Sequence, residues 1–374
     1  MGENSNPGAV LLAVAVATVG VLPAFLTGGL AVQIRAELGF GEGALGLMVA
    51  VFFATSALAS VVFGRVVERV GSSLGMRLAV AVSAGSLLAV SALAGSWWGL
   101  VACLMLGGLG NSISHPATHL FLAREVPQSR QGLAFGVKQA AIPVATLLAG
   151  LAVPSVATTV GWRWAFAGGA VLALCVALFV PGGGEKGIRH VKEARAGDVP
   201  LAPLVLLALG IGLGSAAANP LGAFTVESAV AAGIEVGAAG LLLALGSAAG
   251  VAVRVVAGYL ADKMSSGRRR LVAGMLMVGV TVAFAAGWGW PGLFNFAVVK
   301  SNPGAPAAAT GITQTGASSG AAVGPLAFGL LVEETSFATA WLASGVVAIF
   351  AAAAILAGRG MLLRSRAASP EPRK

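Results

Sequence analysis

Acid is scarce in this chain. Of 374 residues only 14 are Asp or Glu, against 23 Lys or Arg, with three His and one Tyr. Charged residues make up 10%, where a soluble domain carries about 25%, so most of the side chains cannot be meeting water. Cysteine is nearly absent: Cys103 and Cys175 sit inside apolar runs, give neither a disulfide framework nor a metal-ligand spacing, and read as small core residues. No Walker A loop, His-Glu-x-x-His, Gly-x-Ser-x-Gly or paired acidic site is found, which argues against an enzyme and against ATP-driven pumping, and no cofactor is expected. Residues 1–7 carry no basic stretch of the kind that opens a secretory signal, so no cleaved signal peptide is expected.

What the chain has instead is apolar length. Hydrophobic residues make up 57%, and the mean hydropathy is +0.91. A hydrocarbon core about 30 Å thick needs roughly 20 apolar residues per helical crossing. At about 30 residues per crossing with its loop, the length allows about twelve crossings. Apolar runs cover residues 8–30, 43–63, 77–98, 99–123, 132–156, 163–181, 200–224, 236–261, 271–299, 305–332 and 337–358. Backbone groups in lipid must be satisfied within the segment, so each run is expected to be helical. The expected class is an all-α, multi-pass integral membrane protein, with the lipid bilayer as its solvent.

The net charge of +9 therefore reads as topology, not as a nucleic-acid surface. With the N-terminus in the cytoplasm, one set of connections carries Arg65, Arg69, Arg77, Arg124, Arg130, Lys186, Arg189, Lys192, Arg195, Lys263 and Arg268–Arg270, while the opposite set carries only Arg35 and Arg163. That asymmetry is the positive-inside pattern and places the chain in a cell (plasma or inner) membrane. Trp97, Trp98, Trp162, Trp164, Trp288, Trp290 and Trp341 fall at the opposite, outer ends, where an aromatic belt forms.

The two halves repeat. Gly43, Gly46, Gly64, Glu68 and Arg69 match Gly237, Gly240, Gly258, Asp262 and Lys263 at a shift of 194, and Pro116, Gly136 and Gln139 match Pro291, Gly311 and Gln314 at a shift of 175. Charge polarity is conserved between the copies, so the repeat is parallel, an architecture of transporters. The expected organisation is an N-terminal six-helix bundle (1–181), a cytoplasmic linker (182–200) and a C-terminal bundle (201–374). The drop from 194 to 175 leaves the second half 19 residues short near 271–303, about one crossing. Run 271–299 then forms either a single span or a span broken at Trp290-Pro291-Gly292. The charge rule favours the break, because a single span would put Arg359, Arg364 and Arg366 outside.

These inner-loop motifs resemble the major facilitator superfamily, whose signature between its second and third helices reads Gly-x-x-x-Asp-Arg-x-Gly-Arg-basic. Gly64, Arg69 and Gly71 fit it, with Glu68 in place of the Asp and Ser72-Ser73 in place of the basic pair. The second copy keeps Gly258, Asp262 and Lys263. The resemblance implies two pseudo-symmetric bundles, nominally twelve helices, working as a monomer by alternating access around one midplane site. Glu68 with Arg69, and Asp262 with Lys263, would act as charge clamps on the inner gate; the plainer reading is that they anchor the helix ends.

Ionisable groups inside crossings are costly and mark function by default. Four are found: His115, His119, Lys138 and Arg254. At about 1.5 Å per residue, Lys138 and Arg254 lie about 12 Å from the basic membrane face and His115 about 13 Å, so three bases from three helices reach one level. His119 lies nearer the surface. No carboxylate is expected at that level, so the expected substrate is a small anion bridging Lys138 and Arg254, with histidine as the proton carrier. Arg254-x-x-x-Gly258 also resembles the arginine of monocarboxylate and oxalate transporters. Gln139, Gln314, Asn111 and Asn219 are further candidates for substrate contact or for helix packing. Either cation can instead snorkel to the membrane face. A drug or metabolite efflux pump for neutral compounds, or an inactive truncated paralogue, stands as the alternative.

Overall fold

The structure, a computed structural model, describes residues 7–127, 131–182, 201–263, 294, 298 and 306–368. Helices carry nearly all of them: α1 Pro7–Gly29, α2 Ala31–Leu38, α3 Glu42–Val70, α4 Ser72–Leu93, α5 Trp97–Glu125, α6 Gln131–Lys138, α7 Ala141–Ala152 with a π-helical turn Val153–Ala157, α8 Trp162–Phe179, α9 Leu201–Ala231, α10 Val236–Lys263, α11 Pro306–Glu334 and α12 Phe337–Ala368. Ten spans among the described residues are long and apolar enough to cross a membrane. The expected shortfall near 271–303, the surroundings of Gly258, the side chains of Asp262 and Lys263, and nearly all of the expected 182–200 linker lie outside what is described.

The apolar runs become helices with few surprises, and each departure has a local cause. Trp97 and Trp98 do not end α4; they stack on each other at the start of α5, where Ser96 Oγ accepts a hydrogen bond from the Gly99 N–H. The run 132–156 is not one helix. It steps at Gln139–Ala140, because Pro143 has no N–H to give the Gln139 carbonyl and its ring crowds that oxygen. Cys175, expected in the core, is exposed on α8, and Cys103 is half-buried.

The first half meets the second mainly through α1 with α9, α3 with α11, and α6 and α7 with α10. The contacts are close because glycine allows it. A Cβ on Gly46 would strike the Pro325 carbonyl, and one on Gly240 would strike Val153 and the Gly150 carbonyl. Gly46 and Gly240 are the same position of the sequence repeat, as are Gly150 and Pro325. These contacts lie toward the end of the molecule that carries Gly39–Glu42, Trp162 and Glu333, here termed the closed end. At the opposite, basic end, Glu68 and Arg69 are exposed and a Cβ on Gly64 would meet nothing within 4 Å. Gly71 joins α3 to α4 at φ 89°, ψ 165°, a conformation that only glycine adopts without strain, which gives the motif glycine its reason.

Candidate functional site

Lys138 closes α6, and 1% of it is exposed. It does not snorkel. Its Nζ lies 3.0 Å from His115 Nδ1 and 3.1 Å from His119 Nε2, both on α5. The two histidines are one helical turn apart, so their rings stand on one face and grip a single ammonium. With an ammonium at Nζ, which has only donors, both facing ring nitrogens would accept and the imidazole protons would sit on His115 Nε2 and His119 Nδ1. Imidazole rings orient the amine and supply no negative charge. This corrects the expectation that the protein offers the lysine no partner. It also raises His119, which depth alone had set aside, to the same standing as His115.

Arg254 is also buried, with 3% exposed. The pairing of α7 with α10 fixes its level. Ser247 Oγ donates to Thr146 Oγ1 at 2.9 Å across the two halves, and Gly150 lies against Gly240 and Ala244. Lys138 is eight residues before Thr146 and Arg254 is seven beyond Ser247, about 10–12 Å along each antiparallel helix. The packing of α6 against α10 continues that register. The two cations therefore share a level on facing elements of opposite halves.

The other candidates fall out differently. Gln139 is half-buried in the step between α6 and α7, beside Lys138. Asn111 is buried and donates to Ser56 Oγ at 2.8 Å, joining α5 to α3 within one half. Asn219 donates to the Ser215 carbonyl at 2.8 Å and to its Oγ at 3.0 Å, satisfying its own helix just before Pro220. Gln314 is exposed on α11. Of the inner motif, Gly71 does backbone work, Gly64 stands in open space, and the Glu68 and Arg69 side chains are exposed.

Sequence reasoning missed a group of charges at the closed end. Arg35 bridges Glu42 of its own half and Glu227 of the other, with Nη2 to Glu227 Oε1 at 2.8 Å. Glu227 lies near the end of α9, as expected of an acid here, but its side chain is only 1% exposed. Glu333, from the last turn of α11, accepts the Gly43 N–H at 2.8 Å at the start of α3. Within the first half, Glu37 accepts from Arg163 Nη1 at 2.5 Å and from Trp162 Nε1 at 2.7 Å, and Arg163 also reaches the Ala94 carbonyl. The Arg163 guanidinium, with help from the Trp162 N–H, holds the Glu37 carboxyl below the usual carboxylate range. The available signal was the clustering of acids on the side that has few bases.

Comparisons with known proteins agree with this architecture. The sequence profile of the Major Facilitator Superfamily matches residues 10–299. No curated protein matches the chain. Among solved structures, a bacterial homologue of the human lysosomal transporter Spinster, inward-facing and unoccupied, aligns with a TM-score of 0.72 at 14% identity over 97% of this chain and 99% of its own. The same homologue, inward-facing and occupied, aligns with a TM-score of 0.72 at 15% identity and the same coverage. At such identities the likeness is one of fold. With the family profile spanning most of its length, the chain belongs to the Major Facilitator Superfamily and is a multi-pass membrane transporter, not an enzyme.

Proposed function

We propose that the protein is a secondary transporter of a small organic or inorganic anion, coupled to protons and working by alternating access. The observation that carries this reading is Lys138: a buried amine whose two contacts are imidazoles, neither able to supply a negative charge. A charge held in a dry site needs an opposite charge, and the substrate is the natural source. Arg254, at the same level on the opposite half, supplies a planar fork suited to carboxylate, while Lys138 acts as a point charge. A substrate bound between them contacts both halves, as a carrier that rocks them requires. Gln139 lies close enough in sequence to add a hydrogen bond. His115 and His119, the ionisable rings that face the lysine, are the proton carriers.

The positive-inside pattern sets the basic end and the N-terminus in the cytoplasm and the closed end outside, in a plasma or inner membrane. The two bundles, 1–181 and 201–374, then open toward the cytoplasm, and Glu68, Arg69, Asp262 and Lys263 serve the gate at that side.

Uptake of labelled monocarboxylates, dicarboxylates and inorganic anions into proteoliposomes, with and without a pH gradient, tests this directly. An anion should be taken up, faster with an inward proton gradient, and Lys138→Ala and Arg254→Ala should abolish uptake while the protein still inserts. Full anion uptake by both variants would refute the site. Transport of neutral compounds that is indifferent to both substitutions would establish the efflux reading instead.

A further inference from the structure

The first helix turn of α3 and the matching turn of α10 are finished in different ways. Ahead of α10 stands Glu235, whose Oε2 accepts the Ala238 N–H at 2.9 Å, a local cap within the same half. The matching residue ahead of α3, at the shift of 194, is Gly41, which has no side chain and makes no cap. A neighbouring donor of that turn, the Gly43 N–H, is taken by Glu333 of the other half. Glycine at 41 and 43 leaves room for that carboxylate, since a Cβ at either place would fall on it. A helix N-terminus carries partial positive charge and unpaired N–H groups, so an acid there is stabilising. Beside it, Glu227 reaches Arg35 across the same divide.

We infer that Glu333 and Glu227 are the gate residues of the closed end: two carboxylates of the second half that dock on the N-terminus of α3 and on Arg35 of the first. The cap of α3 exists only while that end is shut. Opening strips α3 of its cap and leaves α10 untouched, because α10 carries its own. The docked acids thus weight the balance between the two access states. This inference depends on the fold and the rocking of its halves, and not on the nature of the cargo.

The test reads accessibility. In a Cys103→Ala/Cys175→Ala background, Ser247→Cys places a thiol at the buried contact between the halves. Reconstituted protein is treated with a membrane-impermeant thiol reagent from the closed side. Glu333→Gln and Glu227→Gln should each raise the labelling rate about tenfold, the scale of a lost cap. Gly41→Asp should do the same by a different route: its Cβ falls where the Glu333 carboxylate docks, and its own carboxylate caps α3 in place of Glu333. That variant removes no hydrogen bond donor or acceptor, so it keeps the test open if a glutamate variant fails to fold. Arg35→Glu should raise labelling, and Arg35→Glu/Glu227→Arg should restore protection, which a merely structural role would not do. Unchanged labelling in folded Gly41→Asp and Glu333→Gln proteins would overturn the role of Glu333. Unchanged labelling in Glu227→Gln, or no protection regained in the charge swap, would overturn that of Glu227.

Discussion

Lys138 Nζ and His115 Nδ1 stand 3.0 Å apart on different helices, with the lysine buried and the ring facing it. Replacing His115 with Gln keeps a polar group but removes the titrating one. Anion uptake driven by a substrate gradient should persist, while its stimulation by a pH gradient should fall severalfold. Proteoliposome fluxes with each gradient imposed alone separate the two.

Lys138→Ala removes the charge that the histidines hold. A charge-assisted contact is worth about 1.5–3 kcal/mol, so substrate affinity should fall by about 10–100-fold at unchanged insertion. Substrate-dependent thermal stabilisation of the purified protein measures this without any transport assay.

At the closed end, Glu37 gives a pH dependence whose sign is fixed. Its carboxyl titrates lower in the folded protein than in the unfolded chain, because Arg163 and Trp162 bond the ionised form. Its contribution is present above the unfolded value and is lost as pH falls through the lowered folded one. The side chain is 46% exposed, so screening limits the contribution to under about 1 kcal/mol. Glu37→Gln should lower the unfolding temperature in detergent by about 1–2 °C at pH 7, and the difference should vanish under acid conditions.

Gly46 and Gly64 lie on one helix and should respond oppositely to alanine. At Gly46 a methyl group drives α3 away from the Pro325 carbonyl, so Gly46→Ala should open the closed end and raise labelling of the Ser247→Cys reporter severalfold. At Gly64 the space is open, so Gly64→Ala should leave that labelling unchanged and add roughly 0.5–1 kcal/mol of helix stability. Gly71→Ala, by contrast, meets the positive φ and should cost about 1–3 kcal/mol in thermal unfolding.

The transmembrane helices were legible because lipid enforces one rule on a long apolar run, and the ends bearing Arg65, Arg69, Arg77 and Arg124 were legible because charge is excluded from that run. Glycine register was legible too: the shift that pairs Gly46 with Gly240 in sequence also puts both against the opposite half. Depth arithmetic set Lys138 and Arg254 at one level, and the register of Thr146 with Ser247 agrees. The partnership of His119 was not legible, because depth along a helix says nothing about which neighbour a side chain turns toward. The break at Gln139–Ala140 escaped notice because hydropathy does not register a missing N–H. The pairing of Gly43 with Glu333 joins residues 290 apart in the chain, and no local pattern announces such a contact.

The step between α6 and α7 has a mechanical consequence. The upper rod, α7, is pinned to α10 through Thr146 and Gly150, while the lower rod ends in the lysine. The lower rod also packs on α10, so the bend at Gln139–Ala140 lies within a segment held to the opposite half on both of its sides. The amine thus sits at the elbow of a bent rod, one residue before the bend.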